Sequence, residues 1–309
     1  MNKKNVLTVK NLNKTYQKKG SNPVTAIENL NLNVQQGEIF GLLGPNGAGK
    51  TTFINILSGS VMKTSGFVEV WGFNLDKNPR QVRASIGIVA QDVNLDPFFT
   101  PESLLDLQAG LYGIKKKDRI TSKMLNLVSL EKQAKSYARS LSGGMKRRLM
   151  VAKSLVHQPP IIILDEPTAG VDVELRQNLW KNVKTLNQEG VTIILTTHYL
   201  EEAEKMCDRI GILNKGNLVA LDTTQKLLEK IQIKKISIKV NNRVNINENK
   251  FKTLKIVSST NDEINLSYDK NELKIDQIIK LIEENGARIL DLSTDDGDLE
   301  DVFLSLTKS

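Results

Sequence analysis

Gly44-Pro45-Asn46-Gly47-Ala48-Gly49-Lys50-Thr51 follows the spacing G-x-x-x-x-G-K-[ST]. These residue types in this order suit one task, cradling a polyphosphate. The glycines let consecutive N–H groups turn inward, Lys50 reaches the β- and γ-phosphates, and the hydroxyl of Thr51, followed by Thr52, is a ligand for Mg²⁺. A second glycine pair stands in Leu141-Ser142-Gly143-Gly144-Met145 and opens a helical pattern. A helix start with free N–H groups is an anion site. Ser142 also reads as a plain N-cap, which leaves Gly143 and Gly144 without a reason. Asp165 and Glu166 follow four branched apolar residues, Ile161-Ile162-Ile163-Leu164. Asp165 suits Mg²⁺, directly or through water, and Glu166 suits orienting and deprotonating an attacking water. His198 closes the run Val191-Thr192-Ile193-Ile194-Leu195-Thr196-Thr197, and Gln91 directly follows Ile86-Gly87-Ile88-Val89-Ala90. A lone histidine is more often structural, but this one ends a strand on the same edge as the two acids. Tyr16, at the edge of a polar loop, has two readings, a ring on which adenine stacks and ordinary packing.

These groups work together only if strands deliver them to one edge. Glu38-Ile39-Phe40-Gly41-Leu42-Leu43 reads as a buried strand entering the glycine loop, and residues 51–57 as a helix with Phe53, Ile56 and Leu57 on one face. The runs before Glu166 and His198 read as further buried strands, and carboxyl ends of strands in open α/β sheets are where ligands bind. Residues 6–9 and 24–34 alternate apolar and polar, as antiparallel strands do. Residues 101–139 are helix-patterned from Pro101 on, with Leu104, Leu105, Leu107 and Leu111 as the apolar stripe, and Lys115-Lys116-Lys117 as a solvated turn. His157 precedes Gln158-Pro159-Pro160 and reads as an exposed helix end. From Ile231 the pattern changes to half-exposed strands (235–240, 264–268, 287–292), an amphipathic helix over 275–284 and a closing amphipathic helix on Leu299, Val302, Phe303 and Leu306. The expected division is 1–228, with a helical subdomain about 95–155, and a small α+β appendage at 229–309, a dimerisation or regulatory module without a catalytic constellation.

The 309 residues are 39% hydrophobic and 25% charged, ordinary for a globular chain, and no run approaches the ~18 apolar residues of a membrane span. Residues 1–5 have no apolar core behind them and predict no signal peptide. The single cysteine, Cys207, excludes an internal disulfide and reads as a small buried side chain. The net charge of +8 is uneven: residues 231–309 carry 12 Lys+Arg against 14 Asp+Glu, which leaves +10 for residues 1–230. A basic surface without a nucleic-acid module fits polyphosphate handling or an anionic membrane face.

In order and approximate spacing, the P-loop, Gln91, the Leu-Ser-Gly-Gly element, Asp165-Glu166, Asp172 and His198 resemble an ABC-type ATPase. The likeness covers residues 1 to about 225. Leu141 to Arg148, Thr168-Ala169-Gly170-Val171-Asp172, Thr197 to Glu204 and Leu299-Glu300-Asp301-Val302-Phe303 are similar to the ATP-binding subunits of ABC-2-type, daunorubicin/drug-resistance-like exporters. The resemblance implies a P-loop α/β fold with a RecA-like core, an antiparallel β subdomain and a helical subdomain. It makes Tyr16 the adenine-stacking aromatic, residues 44–52 the Walker A element, and Gln91 a sensor of the γ-phosphate and Mg²⁺ that couples to the membrane subunit. Ser142, Gly143 and Gly144 become the signature that meets ATP on the opposite protomer. Asp165 closes Walker B and ligates Mg²⁺ with Thr51 and Gln91; Glu166 is the catalytic glutamate, Asp172 belongs to the D-loop and His198 is the switch histidine. Met145 in place of the usual Gln, Ala-Gly-Val-Asp as the D-loop and Ala90 before Gln91 depart from the superfamily but occur in the exporter subgroup.

The resemblance implies a head-to-tail homodimer holding ATP and Mg²⁺, which powers a membrane-spanning permease on a separate chain at the cytoplasmic face. The apolar side chains after Gln91 (Val93, Leu95, Phe98, Phe99) are where that partner's coupling helix is expected. The rivals are a soluble ABC ATPase acting on nucleic acid or ribosomes, against which the single motif set and lack of heptads count, and an ABC ATPase with a non-transport role at the membrane. The cargo is not encoded in these residues.

Overall fold

The computed structural model describes residues 4–17, 20, 22–168, 173–244, 253–295 and 297–307. They form two compact units, 1–222 and 223–309.

The first unit begins with two long strands, β1 (Asn5–Tyr16) and β2 (Val24–Gln35), then β3 (Ile39–Leu43) and α1 (Lys50–Ser58). Next come β4 (Ser65–Val70), β5 (Phe73–Asn74), α2 (Pro79–Ala84), β6 (Ile86–Val89), α3 (Pro101–Leu111), α4 (Thr121–Leu127) and α5 (Gly143–Leu155). It closes with β7 (Ile161–Asp165), α6 (Val173–Gln188), β8 (Thr192–Thr197), α7 (Leu200–Met206), β9 (Arg209–Asn214) and β10 (Asn217–Thr223). One sheet has the order β2-β1-β4-β5, and the other, six strands wide, β10-β9-β3-β8-β7-β6. Pairing within β6, β7, β8, β3 and β9 is parallel. Every residue of β3 and β7 is buried, as a parallel sheet covered on both faces requires. A single core joins Val9, Ile27 and Val68 of the antiparallel sheet to Phe40, Phe53, Ile163 and Ile194 of the parallel one. α1 is thereby clamped between the sheets through Phe53, Ile56 and Leu57, the face its spacing predicts.

Residues 101–139 are more broken than the helical pattern suggests. α3 starts as expected, with Pro101 in its first turn and Thr100 and Ser103 in a reciprocal cap. It stops before Gly113, whose φ of 77° ends helices. α4 and short 3-10 turns over 116–118, 131–133 and 138–140 follow it. Leu104 and Leu105 are buried, but Leu107 and Leu111 face solvent, Leu111 at 74% exposure. α3, α4 and α5 pack on one another.

The second unit contains α8 (Thr224–Glu229), β11 (Ile233–Val240), β12 (Lys255–Ser259), β13 (Glu263–Asp269), α9 (Ile275–Glu284), β14 (Ile289–Asp295) and α10 (Leu299–Thr307). Its antiparallel sheet has the order β12-β13-β11-β14. Ile236, Ile238, Leu266 and Tyr268 on one sheet face meet Ile278, Leu281 and Ile282 of α9 in a separate core. The break between units falls before α8, so that helix goes with the appendage. Among the described residues no helix is long and apolar enough to cross a membrane.

Candidate active site

Strand register assembles the site. Leu43 is level with Thr197, Asp165 with Thr196, and Val89 with Leu164. Just past these strand ends, Gly44, His198, Glu166 and Gln91 therefore leave the sheet along one carboxyl edge. This is the ligand edge of an open α/β sheet.

The glycine loop has a backbone that other residues would not accept. Gly47 has φ 82° and Gly49 φ 110°. A Cβ on Gly49 would sit 2.5 Å from the Ala26 carbonyl oxygen, and one on Gly44 would press on the Leu213 carbonyl and lie 2.9 Å from the Ala48 Cβ. α1 starts at the loop's end with no side chain capping it and no acid in its first turn, which leaves its dipole and N–H groups to an anion. Lys50 is buried, and its Nζ donates to the carbonyls of Gly44 (2.5 Å) and Pro45 (3.3 Å). Burial lowers its pKa, while the carboxylates of Glu166 and Asp165 push it back up. A triphosphate suits this cradle: the Lys50 ammonium stands beside an uncapped helix start, and residues 44–51 include no acid.

Glu166 is the point on which the other groups converge. Its carboxylate is 3.8 Å from Lys50 Nζ at Oε1, accepts from Gln91 Nε2 at 3.0 Å on Oε2, and lies 3.2 Å from His198 Nδ1 on the same oxygen. It is only 7% exposed and has φ 45°, a left-handed conformation that a non-glycine residue adopts at a cost of about 1–3 kcal/mol. Bonds from its N–H to the carbonyl (3.0 Å) and hydroxyl (3.2 Å) of Thr196 hold that conformation. Asp165 accepts from the Thr196 hydroxyl at 2.5 Å. Burial raises the Asp165 pKa, the Thr196 bond opposes this, the neighbouring Glu166 adds to it, and Lys50 and Arg147 counter it. A cation beside Asp165 would relieve the same penalty. Asp165, the Thr51 hydroxyl and the Gln91 amide oxygen are hard oxygen donors, so the donor set fits Mg²⁺.

Ser142 caps α5, its Oγ accepting from the Met145 N–H at 3.3 Å. Gly143 and Gly144 border a polar cavity of about 780 Å³ that Asn178 and Lys181 of α6 also line. Tyr16 is at the end of β1, paired with Val24, with Lys14 Nζ 4.6 Å from its ring centre. Because Ala26 touches the Gly49 position, this end of the hairpin lies against the phosphate loop. Asp172, with Ala169, Gly170 and Val171, lies outside the described residues. His157 is not the exposed helix end its neighbours suggested. It is partly buried, stacked on Tyr112 at 3.7 Å and 2°, with Nε2 donating to the Ile86 carbonyl at 3.2 Å.

Three site-bearing residues are not evident from motif spacing. Thr196 braces both acids. Glu202 of α7 accepts from the Thr168 hydroxyl at 2.7 Å and pairs with Arg176 of α6 at 3.3 Å, tying the element after His198 to the chain after Glu166. Arg147 of α5 binds four carbonyls beside Gln91 and Glu166. Its signal in sequence is its place with Met150, Val151 and Ser154 on one face of α5, a charge where burial is required.

Residues 27–169 match the ABC transporter family profile. A linearmycin resistance ATP-binding protein of Bacillus subtilis is 33% identical over 98% of this chain and 98% of its own length. The chain belongs to the ABC transporter family. A Nod factor export ATP-binding protein I of Ralstonia nicotianae is 37% identical over 72% of this chain and 68% of its own. Among solved structures, the ATP-binding subunit of an ABC transporter aligns at TM-score 0.65 and 29% identity over 73% of this chain and 92% of that one. A dimeric ATP-binding cassette in a post-hydrolysis state with ADP and Pi aligns at 0.63 and 29% over 71% of this chain and 98% of that one. The fold is that of a P-loop ABC ATPase cassette, and the chain is an ATP-binding, ATP-hydrolysing subunit similar to linearmycin resistance and Nod factor export ATP-binding proteins.

Proposed function

We propose that two copies of this chain close head to tail around two ATP and drive a separate ABC-2-type permease at the cytoplasmic face of the membrane. The observation that carries the reading is the contrast between the two glycine sites. Gly44 and Gly49 are small because their own chain crowds them. A Cβ on Gly143 would meet no atom of the described residues within 4 Å, and its φ is not left-handed. Its smallness therefore serves something that approaches from outside, and the phosphates held by a partner protomer's loop fit a helix start of this kind.

In this account the loop and Lys50 hold the β- and γ-phosphates, and Tyr16 stacks on the adenine. Thr51, Asp165 and Gln91 would hold Mg²⁺, which would supply further charge neutralisation. Glu166 orients a water and takes its proton as the oxygen attacks the γ-phosphorus and the bond to the β-phosphate oxygen breaks, giving ADP and phosphate. His198 and Gln91 fix the carboxylate through the contacts above. Loss of the γ-phosphate removes what the signature helix of the partner grips, and the clamp opens.

The export reading draws on the relatives' names, and the charge of +10 on residues 1–230 suits an anionic membrane face. Val93 and Phe98 are exposed just after Gln91 and offer the permease an apolar foothold. No nucleic-acid partner is invoked. Tagged Glu166→Gln, extracted from membranes in mild detergent with ATP, is expected to bring down a stoichiometric polypeptide with several membrane spans. Recovery only in the soluble fraction, with ribosomal or nucleic-acid partners, would overturn the exporter reading.

A further inference from the structure

Arg147 is 6% exposed and hydrogen-bonds to no carboxylate among the described residues. Its guanidinium instead donates to four backbone carbonyls on two different segments. Nη1 serves Ala90 (3.2 Å) and, in a shorter bond, Gln91; Nη2 serves Glu166 (2.8 Å); and Nε serves Pro167 (3.1 Å). These segments follow β6 and β7, and they carry the amide and carboxylate that meet at 3.0 Å. The planar fork of an arginine has fixed donor directions, so it sets the two segments relative to each other. Arg147 is also one turn along α5 from Gly143. The helix whose start faces outward is thus joined by one side chain to the backbone of Gln91 and Glu166.

We infer that Arg147 is a positioning residue that aligns Gln91 with Glu166 and passes the placement of the signature helix to the catalytic carboxylate of the same protomer. The assignment rests on Glu166 and Gln91 being the hydrolytic pair. A buried cation is expensive to keep, and folding alone would be served by a hydrocarbon at this place on α5. The fork is what a hydrocarbon cannot replace. Lysine keeps the charge but gives up the fixed donor plane.

The test is steady-state ATPase on the full chain with Arg147→Lys and Arg147→Ala, alone and with Gln91→Ala. Loss of one or two hydrogen bonds to a charged group predicts a fall in kcat of about 10- to 100-fold with KM for ATP changed less than about threefold. On the Gln91→Ala background the same Arg147 substitution should cost far less, and millimolar guanidinium should restore part of the Arg147→Ala rate where equal sodium chloride does not. A rise in KM at constant kcat, losses that multiply with Gln91→Ala, or failure of both Arg147 variants to fold would overturn the inference. Failure of the underlying reading looks different: Glu166→Gln would then hydrolyse ATP at the wild-type rate.

Discussion

At the scale of single residues, the site is a set of costs accepted in one place. Glu166 is left-handed and buried, Lys50 and Asp165 are desolvated, and two glycines have backbones that a side chain would strain. The glycines separate two kinds of demand. Gly47→Ala, with open space around its Cβ, meets only the cost of φ 82°, whereas Gly49→Ala meets φ 110° and the Ala26 carbonyl together. We expect Gly49→Ala to lose at least about tenfold in ATP affinity and several degrees in Tm, and Gly47→Ala to lose clearly less of both. Titration with a fluorescent ATP analogue and thermal melts check the order; equal effects would contradict the steric account.

At the scale of elements, the legible parts were those whose chemistry sits in consecutive residues. The loop before Lys50, the acids after Ile161–Leu164 and the histidine after Thr197 announce themselves, because a buried parallel strand is a solid apolar run and the residue just past it stands at the sheet edge. Arg147, Thr196 and Glu202 were not legible as site residues, since their partners are 19 to 57 positions away or are backbone carbonyls. Leucines at helical spacing do not say which face will be covered, and Leu111 is not covered. His157 was misplaced for a similar reason: its stacking partner Tyr112 is distant in sequence. With Nε2–H given to Ile86, its Nδ1 is buried without a hydrogen-bond partner among the described residues. Burial lowers its pKa below the usual 6.5, and the Ile86 bond offsets this only in part. The unfolded chain then binds the proton more readily, so this group's contribution to stability is present above about pH 6.5 and is lost as pH falls through the lower folded value. His157→Phe, which keeps a ring over Tyr112, should flatten the fall in Tm between pH 7.5 and 5; an unchanged slope would show that His157 does not carry it.

At the scale of the whole molecule, the chain has two units with separate cores, and the residues proposed to handle phosphate lie in the first. The sequence pattern changes from Ile231 and predicts a boundary at 228/229, whereas the compact units divide at 222/223. It left β12 unread, since Lys255-Ile256-Val257-Ser258-Ser259 alternates poorly and is bulged between Ile256 and Ser258. Among the described residues of the first unit a Cβ on Gly143 has no neighbour within 4 Å, and a second copy of the chain would supply one. The most direct measurement is size-exclusion chromatography of Glu166→Gln with and without ATP, paired with its hydrolysis rate. A monomer without nucleotide, a dimer with ATP, and loss of most hydrolysis, on the order of a hundredfold or more for a general base, are expected. A variant that stays monomeric in ATP, or that hydrolyses at the wild-type rate, would contradict this expectation.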